Sequence, residues 1–172
     1  MNEESNSVSP STTEEPGIEE FGLPITLRVI GVAMGGGLVG MLLMLPLLGG
    51  VPILLDVFRP ESIVEFAHFG MYLGFEPSVT TGLLLFFLGG ITVLPLLFLV
   101  VGAFLPPEKP RYLRGAAFAT IFWTGFLIAF WPGGGILTIG VFVVVSLVSH
   151  WIYGTTLGYA LDATVGIPQH DV

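Results

Sequence analysis

The sequence predicts an all-α integral membrane protein, a four-helix bundle with an additional short helix at the membrane interface. Of its 172 residues, 53% are hydrophobic and only 10% are charged. Three stretches contain no Asp, Glu, Lys or Arg, namely Val29–Leu55, Val79–Leu105 and Gly115–Leu161. A bilayer crossing needs about 20 apolar residues, so the first two stretches each provide one crossing and the third provides two.

Residues 1–22 are predicted to form a disordered acidic arm on the cytoplasmic side. Six of the thirteen acidic residues lie in the first 20 residues, which contain no Lys or Arg. The segment is rich in Ser, Thr, Glu and Pro, and its few apolar residues cannot offset the entropy of ordering. A secretory signal begins with basic residues, so the first apolar run is expected to remain as a span.

Residues 23–162 are predicted to form the four-span transmembrane domain. The first span covers about residues 25–48, where Pro46 and the glycine pair behind it are expected to end or kink the helix. Residues 56–77 mix acidic and basic residues with aromatic and aliphatic ones. Such a mixture is typical of a short helix that lies at the interface and does not cross the membrane.

The second span covers about residues 79–105, the third 112–131 and the fourth 136–161. Prolines follow the second span, and a proline with three glycines follows the third, so both helices are expected to stop there. Residues 163–172 are predicted to form a short cytoplasmic tail.

The two halves of the chain share a pattern that favours two repeated helical hairpins. Arg28 lies eighteen residues before Pro46, and Arg114 lies eighteen residues before Pro132. Glycines follow each proline within three residues. A parallel repeat of this kind is found in some transporters, and the repeat is a hypothesis here.

Basic residues predict the topology, because they are retained on the cytoplasmic side of membrane spans. Lys109 and Arg111 lie between the second and third spans, Arg114 lies in the first turn of the third span, and Arg28 lies in the first turn of the first span. We therefore expect this loop and both termini to lie in the cytoplasm, in a multi-pass protein of the cell membrane.

Small residues at intervals of four predict the helix-packing faces, because close backbone approach drives helix association in lipid. The predicted packing residues are Gly36, Gly40, Gly115, Ala119, Ser146, Gly154 and Gly158. The spacing does not distinguish packing within the chain from packing against other membrane subunits or a second copy. The predicted partners are thus the lipid bilayer and either other membrane subunits or the chain itself.

His150 is the titratable residue nearest the middle of a predicted span, and a polar side chain at that depth needs a partner. One interpretation is a neutral imidazole that is hydrogen-bonded to a hydroxyl or a free carbonyl on a neighbouring helix. The other is a cofactor-binding residue, as a haem ligand or as a donor to a quinone or similar headgroup. No cofactor is predicted beyond this option of haem at His150.

The chain contains no cysteine, which excludes disulfides, thiolate metal sites and covalently attached haem. Glu65 and His68 have the spacing of a metal-binding pair on one helix. Di-iron bundles need further glutamates and a second such pair from facing helices, and the spans contain no Asp or Glu. We therefore predict no metal site and no catalytic residues, and no nucleic-acid partner for this chain of net charge −8.

Several of these features together resemble a family of small, uncharacterised four-span membrane proteins of halophilic archaea. They are the glycine-rich first span, Arg114 with Gly115, the stop at residues 131–133, and residues 149–154 with Gly158. Members of that family have been labelled as cytochrome c oxidase-associated. The resemblance covers about residues 25–162 and implies a membrane protein of unknown activity whose labels point to respiration.

A two-histidine cofactor site is not supported by the resemblance. Family members often carry a second histidine in the second span, where this chain has Phe86 or a neighbouring residue.

Three functions are compatible with the sequence. The first is an accessory or assembly subunit of a larger membrane complex, for which the resemblance implies a respiratory oxidase. The alternative is a small oligomeric transporter or channel, which the hairpin repeat favours and the lack of an intramembrane carboxylate disfavours. An enzyme or electron carrier built on His150 ranks last.

Overall fold

The computed structural model describes residues 25–167, and it confirms the predicted all-α fold class. This part of the chain forms five helices and no β-strand. The helices are α1 (Leu27–Leu54), α2 (Pro60–Ala67), α3 (Val79–Phe104), α4 (Leu113–Ala129) and α5 (Ile136–Asp162). The predicted acidic arm and residues 168–172 of the predicted tail lie outside the described residues.

Four of the five helices are long and apolar enough to cross a membrane. They are α1, α3, α5 and a segment that consists of α4 and the turn before it, Arg111–Ala129. This last segment is the shortest, with 19 residues. At 1.5 Å per residue, such a span is about 28 Å long, close to the thickness of the bilayer core. The observed bounds differ from the predicted ones by at most two residues, except at the end of α1, which lies six residues later than predicted.

The prolines predict that the first span ends near residue 48, whereas the helix continues to Leu54. A proline ring clashes with the carbonyl four residues earlier in a regular α-helix. For Pro52 and Pro95, that carbonyl lies in a wider π-helical turn, Pro46–Gly50 in α1 and Gly89–Val93 in α3. The wider turn makes room for the ring, so α1 continues past Pro52 and α3 past Pro95.

The fourth span, α5, occupies the centre of the bundle and packs against α1 on one side and α4 on the other. Helix α3 packs against α1 and, near its start, against α2. It meets α4 chiefly through aromatic rings, as in the pair Phe98 and Phe118, whose ring centroids are 5.2 Å apart. Both rings are fully buried, in one core cluster with Met41 and Leu157.

The short helix α2 lies across one end of the bundle. Its backbone rests on α3, because a Cβ atom added to Gly82 would overlap the carbonyl oxygen of Ile63. On the other side of α2, the ring of Phe66 lies 5.0 Å from that of Phe130 at the end of α4. A helix therefore forms within the predicted segment, and its location at the lipid–water boundary stays a prediction.

The two predicted hairpins correspond to α1 with α3 and to α4 with α5. In the second helix of each hairpin, Gly90 and Gly154 lie where helices approach closely. Their neighbours differ, since Gly90 faces the side chain of Met41 and Gly154 faces the backbone of Gly115. The repeat thus stays a hypothesis.

Candidate functional site

The contact between α4 and α5 is made by backbone atoms at three of the predicted packing glycines. A Cβ atom at Gly115 would overlap the carbonyl oxygen of Gly154, and a Cβ atom at Gly154 would overlap that of Gly115. One turn further along α5, a Cβ atom at Gly158 would overlap the carbonyl oxygen of Tyr112. Ala119 lies beside this contact, with its Cβ atom 2.5 Å from the position of a Cβ at Gly154.

The contact between α1 and α5 involves the two predicted glycines of the first span. A Cβ atom at Gly36 would lie 2.9 Å from that of Ala160. A Cβ atom at Gly40 would lie 2.9 Å from the carbonyl oxygen of Tyr153. Every predicted packing glycine therefore faces another helix of the same chain.

Gly37 was missed by the sequence analysis, although it lies at the contact between α1 and α3. A Cβ atom there would lie 2.8 Å from the carbonyl oxygen of Gly90 and 2.5 Å from Cγ of Pro95. Neighbouring residues in a helix point about 100° apart, so Gly36 and Gly37 face different helices. Three consecutive glycines at residues 35–37 were the available signal.

Ser146 and His150 form a buried polar pair one turn apart on α5, and they are 1% and 7% exposed. The Ser146 hydroxyl accepts a hydrogen bond from Nε1 of Trp123 on α4, at 2.9 Å. It donates to the carbonyl oxygen of Val143 on its own helix, at 3.2 Å. A hydroxyl in the middle of the bundle is thereby paired, and the pairing links α4 to α5.

His150 bonds within its own helix, which corrects the expectation of a partner on a neighbouring helix. Its Nδ1 atom lies 2.7 Å from the carbonyl oxygen of Ser146. A carbonyl only accepts hydrogen bonds, so Nδ1 carries a proton, and in the neutral form of the ring the lone pair lies on Nε2. The neighbouring helix contributes the ring of Phe126 instead, with a centroid distance of 4.7 Å.

The Nε2 atom of His150 remains available to a ligand. It has no hydrogen-bond partner among residues 25–167. Every fully buried side-chain nitrogen or oxygen of these residues has a partner, so Nε2 is at least partly exposed. An imidazole nitrogen with a lone pair can accept a hydrogen bond or ligate a metal. His68, the other described histidine, is exposed, and its Nδ1 lies 3.1 Å from two carbonyl oxygens of α2. Haem binding at His150, which was not predicted but kept as an option, stays a hypothesis.

The tryptophans of the two central spans both link α4 to α5. Trp151 donates from Nε1 to the hydroxyl of Thr120, at 2.9 Å, as Trp123 does to Ser146. The side chain of Trp151 is nevertheless 45% exposed. Its ring faces outward, and its polar edge is satisfied by α4.

A cavity of about 230 Å³ opens at the end of the bundle opposite residues 105–113. All five helices and the loop before α2 contribute to its wall, and most of the lining is apolar. Lining residues include Leu48, Gly49, Pro52, Arg59, Ser62, Gly82, Phe86, Phe126, Phe130, Phe142 and Ser146. The polar pair on α5 adjoins this cavity, because Ser146 and Phe126 both line it and both contact His150. The lining comes from every helix, so no pattern along one segment of the sequence predicts this cavity.

The predicted topology residues lie at the other end of the bundle, in different environments. Arg28 and Lys109 are exposed and Arg111 is half-buried. Arg114 is buried, and it donates from Nε to the carbonyl oxygen of Pro107 at 3.0 Å and from its guanidinium to that of Ala103 at 3.3 Å. It therefore ties the end of α3 to the start of α4, a role in addition to any effect on topology.

The helical region of the chain matches a known protein family. Residues 27–172 match the family of unknown function DUF6789. The chain belongs to this family.

The match of this DUF6789 protein begins at the first residue of α1 and includes all four candidate membrane helices. The cavity and the polar pair on α5 therefore lie within the family region. No curated protein and no solved structure matches the chain.

Proposed function

We propose that this protein is an accessory or assembly subunit of a larger membrane complex, with a respiratory oxidase as the candidate that the resemblance implies. The observation that carries the proposal is an unused small-residue face on α1. Gly31 and Gly35 are exposed, and a Cβ atom at either would meet nothing within 4 Å. Leu38 and Leu42 continue the same helix face and are 43% and 58% exposed.

A glycine pair at this spacing is costly in a helix unless another helix packs against it. Glycine destabilises a helix by about 0.5–1 kcal/mol relative to alanine. For the other glycine pair of α1, Gly36 and Gly40, the close contact with α5 offsets this cost. Small residues four apart are the usual contact surface between membrane helices. The face of Gly31 and Gly35 therefore fits a helix of another subunit.

The alternative function, a small oligomeric transporter or channel, is favoured by the cavity. The cavity reaches Ser146 near the middle of α5 and adjoins His150. Beyond that point the bundle is filled by large buried side chains such as Phe98 and Phe118. Passage through one chain would require these rings to move, so we favour the accessory role.

Copurification tests the proposal. The tagged protein is extracted from its native membranes in mild detergent, and its partners are identified by mass spectrometry. We expect stoichiometric partner subunits with the wild-type chain and their loss with the double substitution Gly31→Leu and Gly35→Leu. The matched control is Gly140→Leu on α5, which is also exposed with nothing within 4 Å of its Cβ position.

The outcome separates the two candidates. Wild-type protein that runs as an oligomer of this chain alone would support the transporter or channel. A monomer without partners, or a double variant that retains all partners, would contradict the accessory role. Oxidase subunits among the partners would identify the complex.

We also infer that both termini lie in the cytoplasm of a cell-membrane protein. With four crossings, both termini would lie on the same side of the membrane as the loop between α3 and α4. The accessible cations Arg28, Lys109 and Arg111 lie at this end. Positive charge retained on the cytoplasmic side then orients the protein.

A further inference from the structure

We infer that the cavity at the α2 end of the bundle is a phospholipid site, with part of an acyl chain inside and the phosphate at Arg59. The inference concerns the isolated chain, so it does not depend on the proposed accessory role. It is carried by the volume and lining of the cavity, by its place among the helices, and by a cation at its rim.

The size and lining of the cavity fit an apolar guest. Its volume is about 230 Å³, and aromatic and aliphatic side chains form most of its wall. An apolar cavity of about 150 Å³ is enough to take up a benzene molecule. This cavity therefore has room for a larger apolar body, such as a segment of one acyl chain.

The place of the cavity suits a lipid with one end in the bundle. It is formed by the last turns of α1 and α4 and the early turns of α3 and α5, and it is partly open. These turns lie at one end of the four candidate spans, where headgroups meet the hydrocarbon core. A lipid chain can thus enter from the surrounding bilayer while its headgroup stays at the surface.

Arg59 supplies a cation at the rim. It lines the cavity and is exposed, and its guanidinium makes no hydrogen bond or ion pair with another residue in the range 25–167. Ser62, one turn further along α2, also lines the cavity and has a hydroxyl without a partner in the same range. A guanidinium and a hydroxyl are both donors, and arginine binds phosphate oxygens in a fork geometry.

Nearby carboxylates do not compete for this position. Asp56 and Glu61 flank Arg59 in sequence, but both are exposed and neither lines the cavity. Their charges are screened by solvent and salt, and the phosphate would lie against the guanidinium. The structure therefore favours a phosphodiester lipid over an apolar molecule without a phosphate.

Native mass spectrometry of the full chain tests this inference. Delipidated protein in detergent is reloaded with equimolar dioleoylphosphatidylglycerol and dioleoylglycerol, which share their chains and differ in the phosphate. We expect one tightly retained phosphatidylglycerol per chain. Arg59→Gln should lower its retention about tenfold, the effect of one charge-assisted hydrogen bond, without changing that of dioleoylglycerol. Arg28→Gln, at the opposite end of the bundle, is the charge control.

Two adjacent glycines provide a matched test of the cavity. Gly49 lines the cavity and Gly50 does not, and a Cβ atom at either would meet nothing within 4 Å. Gly49→Leu should fill the cavity and abolish retention of both lipids, whereas Gly50→Leu should retain phosphatidylglycerol as the wild type does. If Gly49→Leu does not accumulate, Ile53→Trp serves instead, since Ile53 lines the cavity and is 60% exposed.

Three results would overturn the inference. The first is equal retention of the two lipids by the wild type, which would leave an apolar cavity without phosphate recognition. The second is equal loss on Arg59→Gln and Arg28→Gln, which would indicate a general charge effect. The third is full retention by a folded cavity-filling variant.

Discussion

The backbone contact between α4 and α5 predicts that a single methyl group at Gly154 destabilises the protein. In Gly154→Ala, the new Cβ would lie 2.5 Å from that of Ala119 and would overlap the carbonyl oxygen of Gly115. Carbon atoms rest about 3.5–4.0 Å apart, so the two helices must separate by about 1 Å. A gap of that size removes about a quarter to a half of the dispersion energy of the neighbouring contacts. We expect the free energy of unfolding to fall by about 1–3 kcal/mol, as for other overpacked sites.

Titration with SDS in mixed micelles measures this change, and tryptophan fluorescence reports it. The indoles of Trp123 and Trp151 both donate across the same pair of helices, so they respond to separation of α4 from α5. The control is Gly140→Ala on the same helix, where the new Cβ meets nothing within 4 Å. Its stability should be unchanged or higher by at most about 1 kcal/mol, from helix propensity. Equal stability of the two variants would refute the close contact.

Three further perturbations test other parts of the structure. Ser146→Ala removes the acceptor of Trp123 and should cost about 0.6–1.5 kcal/mol in the same titration; no loss would show that the bond contributes nothing. His150→Ala should accumulate in the membrane at the wild-type level, because its hydrogen bond lies within its own helix, and a variant missing from the membrane fraction would contradict this. The chain has no cysteine, so a maleimide that cannot cross membranes should label Glu61→Cys but not Lys109→Cys in intact cells; the reverse would invert the topology.

The four spans and their approximate ends are predictable from the sequence, because hydropathy alone indicates which segments can reside in lipid. A helix satisfies its own backbone hydrogen bonds, so an uncharged run of about 20 residues is sufficient to predict a span. The extension of α1 past Pro46 was not predictable in this way. It depends on a π-helical turn, Pro46–Gly50, that makes room for the ring of Pro52.

Spacing by four residues identified Gly36, Gly40, Gly115, Gly154 and Gly158 as packing residues, and each faces another helix of the chain. Spacing did not tell which helix each one faces. The face that Gly37 presents to α3 is set by the crossing of two helices, which a pattern along one helix does not contain.

The role of Arg114 illustrates the same limit. Its position before a span predicted only a cytoplasmic cation. In the folded chain its side chain is buried and bonds to carbonyl oxygens seven and eleven residues away. A buried guanidinium needs such acceptors, and only the turn between α3 and α4 brings them into reach.

The sequence by itself determined that this chain is a helical membrane protein with four crossings, because the cost of burying charge or unpaired backbone in lipid is a property of each segment alone. Only the tertiary structure decided which glycines touch, that His150 bonds within its own helix, and that a cavity opens beside Ser146 and Arg59. Contacts and cavities depend on the relative position of several helices, and residues far apart in the chain determine that position together.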